Sequence, residues 1–185
     1  MLCHTIFQIF NQQISKDFSP VRPHCLLRTN QPDLSHYSRI APLQSHIHNK
    51  HFSSMASQEN ANRALYETYL SLCNAHDFDG MEKLYTSPIT INDEPWAPSQ
   101  VTDQFKPLVV AFPDFRWRVR HMGADGAFLY LHFEITGSHQ GEFQGIASTG
   151  RRVKTTQFTI YEVKDGKFTA VWDYLDLDKV VEQIQ

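Results

Sequence analysis

Two aspartates close to the C-terminus, Asp173 and Asp176, sit in or just beyond the aromatic-rich run Phe168 to Tyr174. A carboxylate held against aromatic rings loses hydration of its charged form. Its pKa then rises toward the range in which it can take and return protons near neutral pH. Period-2 geometry puts Phe168, Ala170, Trp172, Tyr174 and Asp176 on one side of a strand, and Thr169, Val171, Asp173 and Leu175 on the other. Asp176, ending the aromatic row, is the first candidate for acid–base work. Two alternatives stand beside it. Asp176 can instead cap the terminal helix, and a bulge or register shift would invert the faces and bring Asp173 to the site.

His139, between Ser138 and the Gly141–Gly145 loop, can donate to an oxyanion, orient a carboxylate or simply hold a turn. His132, mid-strand among aromatics, reads as a satisfied core histidine. Arg116, Arg118 and Arg120 share one strand face, where they can pair with Glu134 across the sheet or bind an anion. Trp117, on the opposite face, reads as core. Cys73 falls on the apolar stripe of a helix, so packing accounts for it better than nucleophilic chemistry. No G-x-G-x-x-G, Walker-type Gly-Lys-Ser/Thr, H-E-x-x-H or G-x-S-x-G pattern occurs, and nothing in the sequence demands a metal or organic cofactor.

The elements that must position these residues begin near Met55. Ser57 is a candidate helix cap, followed by Ala61, Leu65, Tyr69, Leu72 and Cys73 at helical spacing. A short helix from Asp79 to Tyr85, a brief strand Ile89–Ile91, a loop Pro95–Pro98 and a helix Ser99–Ala111 broken near Pro107 come next. After Pro113 the pattern turns to strands: Arg116–His121, Phe128–His139, Val153–Val163 and Phe168–Asp176. Asp165-Gly166 makes a tight hairpin turn between the last two. Leu177–Ile184 closes the chain as a helix. Helices first and long antiparallel strands afterwards predict an α+β fold, with helices packed on one face of a curved sheet.

Residues 1–54 differ in kind. They carry five Lys/Arg against two Asp, a balance of +3, while 55–185 carry 12 basic and 18 acidic residues, a balance of −6. Pro20, Pro23, Pro32 and Pro42 interrupt the segment, and six of the ten histidines fall there. Three readings of it are open: a disordered extension, an organelle transit peptide, or sequence upstream of a true start at Met55. His36, His46, His48 and His51 suggest metal less than they suggest a polar tail. The domain of interest is therefore 55–185. The chain's net charge of −3 gives no electrostatic case for nucleic acid, and no apolar run is long enough to span a membrane. Three scattered cysteines without C-x-x-C spacing, one of them necessarily odd, argue against a disulfide scaffold or a cysteine-rich zinc site. The expected location is cytoplasmic, or mitochondrial if residues 1–54 are a transit peptide.

The run Gly137-Ser138-His139-x-Gly141-x-Phe143-x-Gly145-Ile146, with Thr149-Gly150-Arg151, resembles the signature of SnoaL-like polyketide cyclases. Phe112-Pro113-Asp114, Asp165-Gly166-Lys167, Trp172-x-x-x-Asp176 and the Gln183-ended terminal helix extend the resemblance over about 58–184. Ser138 and Ala147-Ser148 depart from the commoner threonine and proline. The resemblance implies a nuclear-transport-factor-2-like cone enclosing a pocket. It also implies cofactor-free aldol closure of an apolar, ketide-like substrate by an aspartate on the late strand. It carries over to Asp176 first and Asp173 second, with His139 and Gln157 as polar partners and Trp172 as a pocket wall. By analogy, a homodimer or homotetramer follows. The same superfamily includes dehydratases, isomerases, epoxide hydrolases and non-catalytic binding or dimerisation modules. An epoxide hydrolase would need an Arg–Asp pair inside the pocket. A binding module would show both aspartates in solvent and an interior filled by aromatics.

Overall fold

The computed structural model describes residues 44–185, with side chains from residue 55 onward. The expectations for the earlier segment, its histidines included, lie outside the described residues. Helix α1 runs Gln44–Ala75, so it starts upstream of Ser57, which lies inside it rather than at its cap. No proline occurs between Pro42 and Pro88, and nothing steric stops the helix over that stretch. Helix α2 (Phe78–Glu82) starts at Asp77, whose Oδ1 accepts from the Gly80 N–H at 2.9 Å. Strand β1 (Tyr85–Ile91) pairs with β2 (Glu94–Trp96), so part of the expected 95–98 loop is strand. The expected break near Pro107 is present, dividing α3 (Pro98–Asp103) from α4 (Lys106–Ala111).

Four long strands follow: β3 (Arg116–Asp125), β4 (Phe128–Ser138), β5 (Arg152–Lys164) and β6 (Lys167–Leu175). Helix α5 (Asp178–Ile184) ends the chain. The hairpin between β5 and β6 turns at Asp165 and Gly166, with φ of 52° and 72°, the positive values a tight hairpin requires. The sheet order is β2-β1-β6-β5-β4-β3. All pairings are antiparallel except β1 with β6, which is parallel. This is the expected α+β class, a curved and unclosed six-stranded sheet with helices.

Strand alternation decides what each face does. Leu129, Leu131, Phe133 and Ile135 of β4 are buried, as are Val153, Thr155, Gln157, Thr159, Tyr161 and Val163 of β5. Tyr66 and Tyr69 of α1 pack onto this inner face. Tyr66 lies 5.2 Å from the Tyr161 ring, and Tyr69 lies 5.0 Å from the Phe168 ring, centroid to centroid. The core is therefore an aromatic layer between α1 and the sheet.

Candidate functional site

One irregularity in the sheet determines which aspartate faces inward. Along β5–β6, Val163 pairs with Phe168, but Glu162 pairs with Ala170. Thr169 is the extra residue of a β-bulge, and it inverts every side chain that follows. Phe168 stays inward, whereas Trp172 and Tyr174 join Ile160 and Phe158 on the outer face. Asp173 pairs with inward-facing Thr159. The expectation that Phe168, Trp172, Tyr174 and Asp176 share one face is thus corrected.

Asp173 lies deep among protein atoms yet keeps a partly accessible edge. Burial pushes its carboxyl up from 3.8 to about 6, against the opposing pull of hydrogen bonds from Gln157 and Asn92. Gln157 Nε2 donates to Asp173 Oδ2 at 3.0 Å. Gln157 Oε1 in turn accepts from the Trp117 indole N–H at 3.0 Å, which fixes the orientation of the amide. Asn92, at φ 45° in the β1–β2 turn, accepts from the Asp173 N–H at 3.0 Å, while its own N–H donates to the Val171 carbonyl at 2.9 Å. Asparagine tolerates this left-handed conformation better than most residues, and so can hold its side chain against β6. Asn92 escaped the sequence reading because it is 81 residues from Asp173 along the chain. The asparagine-aspartate pair after a short strand is the one available signal, and by itself such a pair indicates a turn, not a contact with β6.

Next to this carboxylate, Tyr66, Tyr69, Leu70, Cys73, Phe78, Met81, Phe105, Trp117, Phe133, Gln157 and Tyr161 enclose a cavity of about 20 Å³. That is room for a water molecule or so, far short of a typical ligand pocket. Half-buried Leu70, Phe78, Phe105 and Trp117 form its accessible side, and buried Tyr66, Tyr69, Phe133 and Tyr161 its floor. The phenols stay neutral: burial raises Tyr66, Tyr69, Tyr85 and Tyr161 above the ordinary tyrosine range. Tyr69 and Tyr85 share a hydroxyl–hydroxyl hydrogen bond of 2.7 Å. Burial also pushes the Cys73 thiol up to about 12, so it remains a packed thiol, not a nucleophile.

The other expected site residues lie elsewhere. Asp176 follows β6, and its Oδ1 accepts from the Lys179 N–H at 3.1 Å, capping α5. Trp172 donates from Nε1 to Asp93 Oδ1 at 2.8 Å and does not wall the cavity; Trp117 does. His139 is fully buried, stacked on Phe112 at 5.1 Å, with Nδ1 3.1 Å from Thr149 Oγ1. It follows Ser138, which pairs with Arg152, seven positions along β5 from the Thr159–Asp173 pair. At roughly 3.3 Å per residue that is about 23 Å away. His132 is on the outer face, not in the core, bonded to His121 and to Thr156 Oγ1. The bulge at Thr169 is what separates Phe168 from Trp172 and brings Asp173 to the inner face; simple alternation could not show it.

Arg118 and Arg120 point outward and pair with Glu134, which also meets Lys154 at 2.6 Å. The inward Arg–Asp pair that an epoxide hydrolase would need is therefore not formed by this row. Among the described residues, no three His, Cys, Asp or Glu side chains converge as a metal site, and no helix is long and apolar enough to cross a bilayer.

The family model for SnoaL-like polyketide cyclases matches residues 63–184. Solved structures resemble the fold closely. AclR from Streptomyces galilaeus, a hydroxylase candidate, shares 25% identity over 70% of this chain and 96% of its own, with a TM-score of 0.62. A SnoaL-like polyketide cyclase from Agrobacterium tumefaciens shares 22% identity over 65% and 95%, with a TM-score of 0.57. TsrD from Streptomyces laurentii shares 19% identity over 68% and 95%, with a TM-score of 0.60. No curated protein matches the sequence.

Proposed function

This chain belongs to the SnoaL-like polyketide cyclase family, and on that premise we propose that it is an acid–base enzyme closing a ring in a ketide-like small molecule, with Asp173 as the proton-transfer group. The observation carrying this reading is the enclosed, partly accessible Asp173 carboxylate, with a pKa raised to about 6 and its orientation set by Gln157 and Asn92. A group titrating there is largely ionised at pH 7 yet basic enough to accept a proton.

The reaction balances without a redox partner. The Asp173 carboxylate takes a proton from a carbon flanked by two carbonyls, leaving an enolate. The enolate carbon attacks a second carbonyl carbon of the same molecule, forming the C–C bond. The electron pair of that carbonyl moves to its oxygen, which receives the proton from Asp173. Gln157 donates to the carboxylate when it is ionised and keeps it aimed. The aromatic walls exclude water that would otherwise quench the enolate. With only about 20 Å³ free, the substrate enters by displacing side chains on the accessible side, Phe105 and Phe78 among them.

The same tight filling favours a second reading, a non-catalytic module of this fold. Incubation with linear and partly cyclised polyketide esters separates the two. The enzyme reading expects turnover by the wild type, at least 100-fold less by Asp173→Asn and near-normal rates from Asp176→Asn. No turnover by the wild type supports the module, and loss confined to Asp176→Asn removes Asp173 from the mechanism.

Self-association belongs to the same proposal. Exposed Tyr130, Phe158, Ile160 and Tyr174 cluster on the outer sheet face, and a second copy of the chain is the proposed cover. Sedimentation of the wild type against Phe158→Glu tests it: a dimer or tetramer reduced to monomer is the expected result, and a monomeric wild type overturns it.

A further inference from the structure

The inner face of β5 carries one hydroxyl that the fold does not use. Thr159 is 2% exposed, and its Oγ1 is buried with no hydrogen-bond partner among the described residues. Neighbouring threonines on the strand behave differently: Thr155 Oγ1 donates to the Asp176 carbonyl at 2.9 Å, and Thr156 Oγ1 to the Phe133 carbonyl at 2.8 Å. A buried hydroxyl left unpaired is a net loss to the folded state, and valine would fill the same volume without that loss.

Its position gives the hydroxyl a use. Thr159 is the cross-strand partner of Asp173, so the two side chains rise from one face with their Cβ atoms roughly 4.5–5.5 Å apart. Gln157 and Tyr161, on either side of it along the same face of β5, both line the cavity. Two neighbouring donors already have partners: Gln157 Nε2 donates to the carboxylate, and the Trp117 N–H donates to Gln157 Oε1.

We infer that the Thr159 hydroxyl holds the carbonyl oxygen of a substrate whose adjacent C–H faces Asp173. The inference rests on the acid–base reading of Asp173 and adds to it a substrate geometry. When the C–H bond breaks, the proton goes to the Asp173 carboxylate. The electron pair moves into a new C=C bond, and the negative charge settles on the carbonyl oxygen. That oxygen accepts from Thr159 most strongly once it is charged, so the bond favours the enolate over the ketone. The substrate class is an enolisable ketone presenting its oxygen and acidic carbon on the same edge.

Proton abstraction can be read without the natural substrate, as deuterium uptake by 2-tetralone in D2O, followed by NMR on the full chain. The wild type should exchange the ketone faster than buffer. Thr159→Val should lower the protein-catalysed rate about 10- to 100-fold, Thr159→Ser should restore it to within about threefold, and the unfolding midpoint of Thr159→Val should not fall. Asp173→Asn should abolish the catalysed exchange. Unchanged exchange in Thr159→Val, with Asp173→Asn inactive, overturns the role of Thr159 and leaves that of Asp173 standing. A lowered midpoint in Thr159→Val overturns it too, because the hydroxyl then serves the fold. Wild-type exchange no faster than buffer, or Asp173→Asn as active as wild type, removes the acid–base reading and the inference with it.

Discussion

The two faces of one sheet treat a carboxylate in opposite ways. On the inner face, burial dominates and Asp173 is pushed up to about 6. On the outer face, hydrogen bonds from Lys154 and Arg118 hold Glu134 down to about 2. Both residues sit mid-strand on adjoining parts of the sheet, so strand geometry alone does not distinguish them. The difference lies in what surrounds the oxygens: tyrosine rings and amides inside, cations and solvent outside. A proton-transfer group at neutral pH is available only on the inner face, and one residue, Thr169, decides which aspartate stands there.

Reversing the faces beyond that residue should have the largest effect. Deleting Thr169 would only straighten β6, because Phe168 stays opposite Val163 and Ala170 opposite Glu162. Inserting one glycine after Val171 instead turns Asp173 toward solvent and drives Trp172 and Tyr174 into the core. Loss of cooperative folding is expected of the insertion and a native-like fold of the deletion, read by near-UV circular dichroism and gel filtration. A native-like spectrum of the insertion variant would show that the register of β6 does not set the faces.

The electrostatic contrast comes next. The folded state holds a proton on Asp173 more tightly than the unfolded chain, whose carboxyl titrates near 3.8. Stability should therefore decline as pH rises from about 4 to 6 and then level off. Asp173→Asn removes the decline, and at pH 7 it should be more stable than wild type by about 2–3 kcal/mol, measured by urea unfolding at pH 4 and pH 7. An equal change at both pH values would mean that charge burial is not the cause.

Gln157→Leu sharpens the comparison from inside. It removes the donor that opposes burial, so the midpoint of the rising pH–rate profile should move up by about one unit. It also leaves the Trp117 N–H without its acceptor, at a cost of about 1–3 kcal/mol. A profile that does not move would make the amide irrelevant to the carboxylate.

Glu134→Gln should do least. The glutamate's folded pKa lies below its ordinary value, so its contribution is present above about 4.5 and fades as pH falls toward 2. Because solvent and salt screen the pairs, the expected result is a small drop in melting temperature that shrinks further in 1 M salt. A large, salt-insensitive drop would mean the outer face holds more of the fold than its exposure suggests.

Much of this contrast was legible in the residues. The alternation of Leu129, Leu131, Phe133 and Ile135 marked the inner face of β4, and Asp165-Gly166 marked the hairpin. Pro107 marked the break between α3 and α4, and the Arg118–Glu134 pairing followed from a shared outer face. What was illegible has a common cause. A bulge costs no distinctive residue, so Thr169 looked like any strand threonine and the faces beyond it were read inverted. The parallel pairing of β1 with β6 joins Tyr85 to Phe168, and Asn92 reaches Asp173 through that pairing. Contacts between segments about 80 residues apart leave no periodic trace in either one. Ser57 looked like a cap because its chemistry suits one, but N-capping is decided by where the helix starts, and α1 starts upstream of it.

The parallel pairing also dictates an order of assembly. Strands β3 to β6 form a meander of neighbouring hairpins with short loop closures, apart from the 139–151 connection. Strand β1 can join only after β6 exists, closing a loop of some 80 residues, and its turn brings Asn92. Until it docks, the backbone of Asp173 along the open edge of β6 is bonded to water rather than to Asn92. The docking that completes the sheet therefore completes the site. A mutation weakening the β1–β6 seam, such as Ile91→Thr, would then leave the meander folded while returning the aspartate toward its solution chemistry.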